Sequence, residues 1–115
     1  MTEREFKEKL DAFKSSCRVY KHEKQMLEEA DLRKGIFGDE QLYRFMQEDV
    51  DYVDRMFETI ASKCGINARL MIWLMFVEET TQADVAYRFG LSRRQLQYSM
   101  NKWMRQVLDG EEDSR

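Results

Sequence analysis

The sequence predicts an all-α protein, with a long N-terminal helical hairpin followed by a C-terminal three-helix domain. Three observations carry this expectation. Apolar residues recur at steps of three and four along most of the chain, the spacing that places them on one face of a helix. Among 115 residues there is no proline and there are five glycines, so little interrupts a helix. Hydrophobic residues make up 43% of the chain, enough to build a modest core despite a charged fraction of 36%.

The first helix is expected from about Thr2 to Glu29, with Thr2 and Glu5 spaced as a capping box. Phe6, Leu10, Phe13, Cys17, Tyr20 and Leu27 form a narrow apolar stripe, interrupted at Lys24. Such a stripe suits packing inside a hairpin, or a coiled-coil seam between two chains. Residues 30–40, with Gly35 and Gly38, form the main connection, long enough to be mobile. Asp39 then caps a second helix, about Glu40 to Lys63. Its apolar face holds Leu42, Phe45, Met46, Val50, Val53, Met56, Phe57, Ile60 and Cys64, and Gly65 ends it.

Asn67 is expected to cap a third helix reaching about Glu78. From Leu70 to Val77 this segment is apolar all round, which places it at the centre of the core. A buried strand is the competing assignment for such a run, but its neighbours read as helices and no partner strand is visible. Helices Gln82–Phe89 and Arg93–Leu108 follow. The chain thus divides into a hairpin over 1–64, a domain over 65–108 and an acidic tail over 109–115 that is expected to be disordered.

The net charge is −3, but it is unevenly spread. Residues 1–64 carry 12 basic and 15 acidic side chains. Residues 65–108 carry Arg69, Arg88, Arg93, Arg94, Lys102 and Arg105 against Glu78, Glu79 and Asp84. A basic segment is therefore embedded in an acidic protein, and only that patch needs to meet phosphate. Cys17 and Cys64 lack metal-ligand spacing and read as buried free thiols of a reducing cytoplasm. The charged N-terminus is no signal peptide, and no apolar run is long enough to span a bilayer, so no membrane association is expected. His22 is a solvated histidine on a charged helix. Glu48, Asp49, Asp51 and Asp54 form an acidic run that reads as a solvated face rather than a metal site. No catalytic constellation is visible; no enzyme activity, cofactor or metal is expected.

The stretch from Thr81 to Met100 is the most informative. Thr81 and Asp84 have the spacing of a helix N-cap, and Ser92 and Gln95 repeat it. Between them Gly90 supplies a left-handed residue that stops the first helix. Ala86 is small where two helices cross, and Val85, Phe89, Leu91, Leu96 and Met100 fall where such a pair buries its interface. Two short helices joined by the turn Gly90-Leu91-Ser92 have the layout of a helix-turn-helix.

This segment resembles the last conserved region of bacterial sigma factors, which reads the upstream promoter element. The likeness is carried by Arg69, Phe76-Val77-Glu78, Thr81, Val85-Ala86, Phe89-Gly90-Leu91-Ser92, Leu96 and Met100, within about 40 of the 115 residues. The chain departs from the pattern at Glu79, where the family has a loop glycine, and at Met75, where an arginine is frequent. Tyr98 and Trp103 are bulkier than usual. A segment like the one with which full sigma factors bind the downstream promoter element is missing, so a complete sigma factor is not expected. The layout as a whole is similar to small sigma-like regulators of phages and mobile elements, such as the ArpU-type late regulators.

The resemblance implies duplex DNA binding in transcription regulation, with RNA polymerase as a further partner. On the last long helix Leu96, Met100, Trp103 and Val107 cluster on one face, with Arg94, Tyr98, Asn101 and Arg105 opposite. Arg93, Arg94, Gln97 and Tyr98 are expected to approach bases, and Asn101, Lys102 and Arg105 to approach phosphate. Arg88 and Thr81 lie where the preceding helix meets the backbone. Because helix-turn-helix proteins commonly read two half-sites, a homodimer is expected, with Phe6, Leu10, Phe13 and Cys17 as its seam. The rival expectation is a protein-interaction module whose acidic hairpin holds RNA polymerase or a host nucleic-acid enzyme.

Overall fold

The structure, a computed structural model, describes residues 1–32 and 40–113, with residues 31, 32 and 110–113 described by their backbone alone. Five helices follow one another: α1 Glu3–Leu32, α2 Glu40–Cys64, α3 Ile66–Phe76, α4 Gln82–Arg88 and α5 Arg93–Asp113. No strand occurs among the described residues. The long helices α1 and α2 pack against each other as a hairpin. A helix of 30 residues is about 45 Å long, and α1 accordingly sets the longest dimension of the molecule, 49 Å.

The start of α1 is capped as its sequence requires, the Thr2 hydroxyl accepting from the Glu5 backbone N–H at 3.1 Å. The helix runs on to Leu32, past the expected end at Glu29. Asp39 and most of the expected connection lie outside the described residues.

The apolar stripe of α1 is core. Phe6, Leu10, Phe13, Cys17, Tyr20 and Leu27 are each no more than 7% exposed, covered by α2, α3 and α5 of the same chain. The coiled-coil seam is therefore corrected: these side chains have no surface left for a second chain. Phe13 is the hub, its ring centroid 5.6 Å from Phe57, 5.8 Å from Phe76 and 6.2 Å from Tyr52. Trp73 meets Phe57 and Tyr20 edge-on at 5.1 and 5.5 Å. All but the tilted Phe13–Phe57 pair are edge-to-face, and such contacts add roughly 0.5–1.5 kcal/mol per pair to the burial itself. They also carry one core across residues 64 and 65, so the hairpin and the C-terminal helices are joined through their interiors.

Two corrections concern which way α1 and α2 face. The simple spacing puts Lys24 in the stripe, but Lys24 is exposed, its ammonium 5.6 Å above the Tyr20 ring, and Glu23 occupies the buried position instead. On α2 the fully buried arc begins at Met46; Leu42, one turn earlier, and Phe45, immediately before it, are 47% and 63% exposed. Cys17 is fully buried as expected, whereas Cys64 is only half-buried.

Gly65 turns the chain from α2 into α3 in one residue. Its φ of +101° lies in a region that side chains rarely tolerate. Its N–H closes the last turn of α2 on Ala61, and its carbonyl opens α3 by accepting from Arg69. Asn67 is consequently inside α3 rather than its cap. The helix stops at Phe76, before the expected Glu78, as Val77 and Glu78 both donate to the Trp73 carbonyl and Thr80 reaches back to Leu74. Glu79 sits in this turn at φ +55°. At the other end of the chain, α5 is anchored by buried Leu96, Met100, Met104, Val107 and Leu108. Its backbone continues as helix to Asp113, which corrects the expected disordered tail for residues 109–113.

Candidate nucleic-acid interface

The α4–turn–α5 unit is fixed by local hydrogen bonds that its sequence specifies. Thr81 caps α4, its hydroxyl accepting from the Asp84 N–H at 3.2 Å. Gly90, at φ +67°, ends it: the Gly90 N–H donates to Tyr87 and the Leu91 N–H to Ala86, the paired bonds of a Schellman turn. Ser92 and Gln95 then form a complete capping box. The Gln95 N–H donates to the Ser92 hydroxyl at 3.0 Å, and the Ser92 N–H to the Gln95 amide oxygen at 2.8 Å.

Packing sets the angle of the unit. Met71, Val85, Ala86 and Leu96 form a small core joining α3, α4 and α5, with Leu74, Met75, Phe89, Leu91 and Trp103 around it. Cys64 ties the back of α5 to the end of α2, its thiol 3.4 Å from the Gln106 side-chain oxygen. Burial raises the Cys64 pKa, keeping it a neutral thiol. With its inner face so committed, α5 leaves Arg93, Arg94, Tyr98 and Lys102 exposed, Tyr98 at 71%. Arg88 is exposed at the last turn of α4, and Thr81 is exposed at its start. Asn101 is half-buried.

Two expected site residues are placed differently from the rest. Gln97 is half-buried, and its amide oxygen accepts from the Gln82 side chain at 3.0 Å, bridging α4 and α5. Arg105 is not on the free outward face. It pairs with Glu3, and its guanidinium lies 4.1 Å from the Phe6 ring centroid, so it fastens α5 to the start of α1. Sequence spacing places Arg105 opposite Leu96 correctly, but it carries no information on where α1 runs.

Tyr87, next to Arg88 on α4 and 87% exposed, was not anticipated. A signal for it exists: Val85, Ala86 and Phe89 claim the inward positions of a short helix, which leaves Tyr87 pointing out. The turn before α4 is braced by Glu78, which accepts from Lys21 and from the Trp73 ring N–H. The Lys21 ammonium holds the Glu78 carboxyl below the usual range. Among the described residues no group of histidine, cysteine or carboxylate side chains has the makings of a metal site, and no helix is long and apolar enough to cross a membrane.

No protein-family model matches the chain, and no curated protein or solved structure matches it either.

Proposed function

We propose that the protein binds duplex DNA in transcription control, inserting the outward face of α5 into a major groove. The observation that carries this reading is the unit just described. A capped helix, a Gly90 turn and a second capped helix present Arg93, Arg94, Tyr98 and Lys102 to solvent in the one net-positive segment of an acidic chain. Arg93 and Arg94, in the first turn of α5, supply the forked donors that recognise guanine edges, and Tyr98 lies one turn further along. Lys102 and Arg88 supply charge for phosphates, which position the protein without reading sequence. The likeness to the promoter-reading region of sigma factors supports the same role, as does the similarity in layout to regulators of phages and mobile elements.

A second reading rests on α2. Phe45, 63% exposed, precedes the exposed acids Glu48 and Asp51 by three and six residues on the same helix, an apolar side chain at the start of an acidic run of the kind that docks on a protein such as RNA polymerase. Titration of random-sequence duplex DNA against the purified protein over a salt series separates the two. DNA binding by α5 gives an affinity that falls linearly on a log–log plot. Absence of binding, with loss of biological effect on substituting Phe45 or Asp51, favours the docking role.

A further inference from the structure

We propose that Lys14 and Arg18 of α1 form a second contact with DNA phosphates, on the flank of the surface presented by α5; this rests on the DNA-binding reading above. The two side chains line a cleft of about 190 Å³ together with Phe76, Glu79, Thr80 and Gln82. Gln82 is the residue whose side chain is bonded to Gln97 of α5. The cleft is therefore continuous, through one side-chain pair, with the candidate recognition helix.

Some cations of α1 and its contacts have a carboxylate partner: Arg4 pairs with Glu8, Lys21 with Glu78, and Arg105 with Glu3. Lys14 and Arg18 have no such ion pair among the described residues, although residues 1–64 carry more acids than bases. Four residues apart on one helix, they lie about 6 Å apart along its axis and repel each other. The Lys14 ammonium is held 5.3 Å from the Phe76 ring centroid, which fixes it at the cleft rather than leaving it free to swing away. Two like charges kept together without a carboxylate partner fit an anion from outside the chain. A DNA backbone running past α5 is the polyanion whose position the Gln82–Gln97 link brings nearest. Glu79 lines the same cleft and opposes such an anion, so its charge tunes the affinity downward.

The test is a salt series of duplex-DNA titrations with the full chain and with Lys14→Gln/Arg18→Gln. Each lost phosphate contact removes about 0.9 from the log–log slope, so the double variant is expected to lose about 1.8, with its sequence preference unchanged. Arg18→Gln alone, at an exposed side chain, is expected to lose about half of that and to melt with the wild type. Glu79→Gln is expected to bind more tightly than wild type. If the double variant keeps the wild-type affinity and slope while Arg94→Ala weakens binding, the cleft takes no phosphate and the reading of α5 stands. If the wild-type chain itself binds no duplex DNA, the reading of α5 fails first and this inference fails with it.

Discussion

Glu23 of α1 is buried against Asp49 of α2, with its Oε2 atom left without a hydrogen-bond partner. Burial, followed by the hydrogen bond and charge of Asp49, raises the Glu23 pKa from 4.5 to about 8. Asp49 acts in the same direction on Cys17, whose thiol is pushed up to about 12, chiefly by its own burial. The interface of the hairpin therefore contains an acid that holds its proton at neutral pH.

The consequence is a stability that falls as pH rises. Between the ordinary carboxyl value and about 8 the folded chain holds a proton that the unfolded chain has released. The contribution is fully present below pH 4.5 and is lost as pH rises through about 8. The melting temperature is expected to drop across this window, and Glu23→Gln, which cannot ionise, is expected to flatten the drop. A thermal-melt series in which wild type and Glu23→Gln run parallel from mildly acidic to mildly alkaline pH refutes the assignment.

Glu79 adopts φ +55° in the turn between α3 and α4, a conformation that costs an L-residue roughly 1–2 kcal/mol. Glycine adopts it freely but loses more entropy on folding. Glu79→Gly is therefore expected to stabilise the fold by about 0.5–1 kcal/mol, while Glu79→Val, branched at Cβ, is expected to destabilise it. Chemical denaturation of the two variants beside wild type checks the order; a less stable glycine variant refutes it.

Phe13 has no exposed surface and touches α2 and α3 through Tyr52, Phe57 and Phe76. Phe13→Asp is expected to unfold the chain, because truncating such a side chain already costs about 3–5 kcal/mol and a buried carboxylate adds to this. A folded Phe13→Asp monomer released from a dimer, seen by light scattering together with circular dichroism, contradicts the assignment of this stripe to the hairpin core.

These outcomes follow the line between what the sequence makes legible and what it does not. Capping pairs, the Gly90 turn and the inward placing of Leu96, Met100 and Val107 depend on contacts within one or two helical turns, so local spacing was enough to place them; it put half-buried Trp103 on the same face and missed fully buried Met104 and Leu108. The departure at Glu79 was also visible locally, since the pattern it breaks has a glycine there. What escaped depends on neighbours distant in the chain. Nothing in the spacing of α1 distinguishes Glu23 from Lys24 as the buried position, because the choice depends on how α1 is rotated against α2. Nothing near Arg105 announces Glu3, 102 positions away. Leu42 and Phe45 fit the period of α2, yet the first of its residues to be fully buried is Met46.

The proposed interface makes three arginine and lysine side chains of α5 behave differently, and it separates Lys102 from Arg105, which sequence alone groups as phosphate contacts. Arg94 is exposed in the first turn. If it reads a base, Arg94→Ala is expected to cost roughly 1–3 kcal/mol and to relax preference at one position. Lys102 is exposed two turns later, so Lys102→Ala is expected to weaken all sequences about equally and make the salt slope shallower by about 0.9. Arg105 is tied to Glu3 and stacked on Phe6. Arg105→Ala is therefore expected to lower stability by about 0.5–1 kcal/mol through the lost cation–π contact, while leaving sequence preference unchanged. Glu3→Gln removes only the ion pair, which at such exposure is worth little, so its melting temperature stays near wild type. Selection of bound duplexes from a random library, run for each variant beside a thermal melt, reads both quantities at once. Equal effects of Arg94→Ala and Arg105→Ala on preference would show that the two share a face toward the DNA, and that the contact with α1 opens on binding.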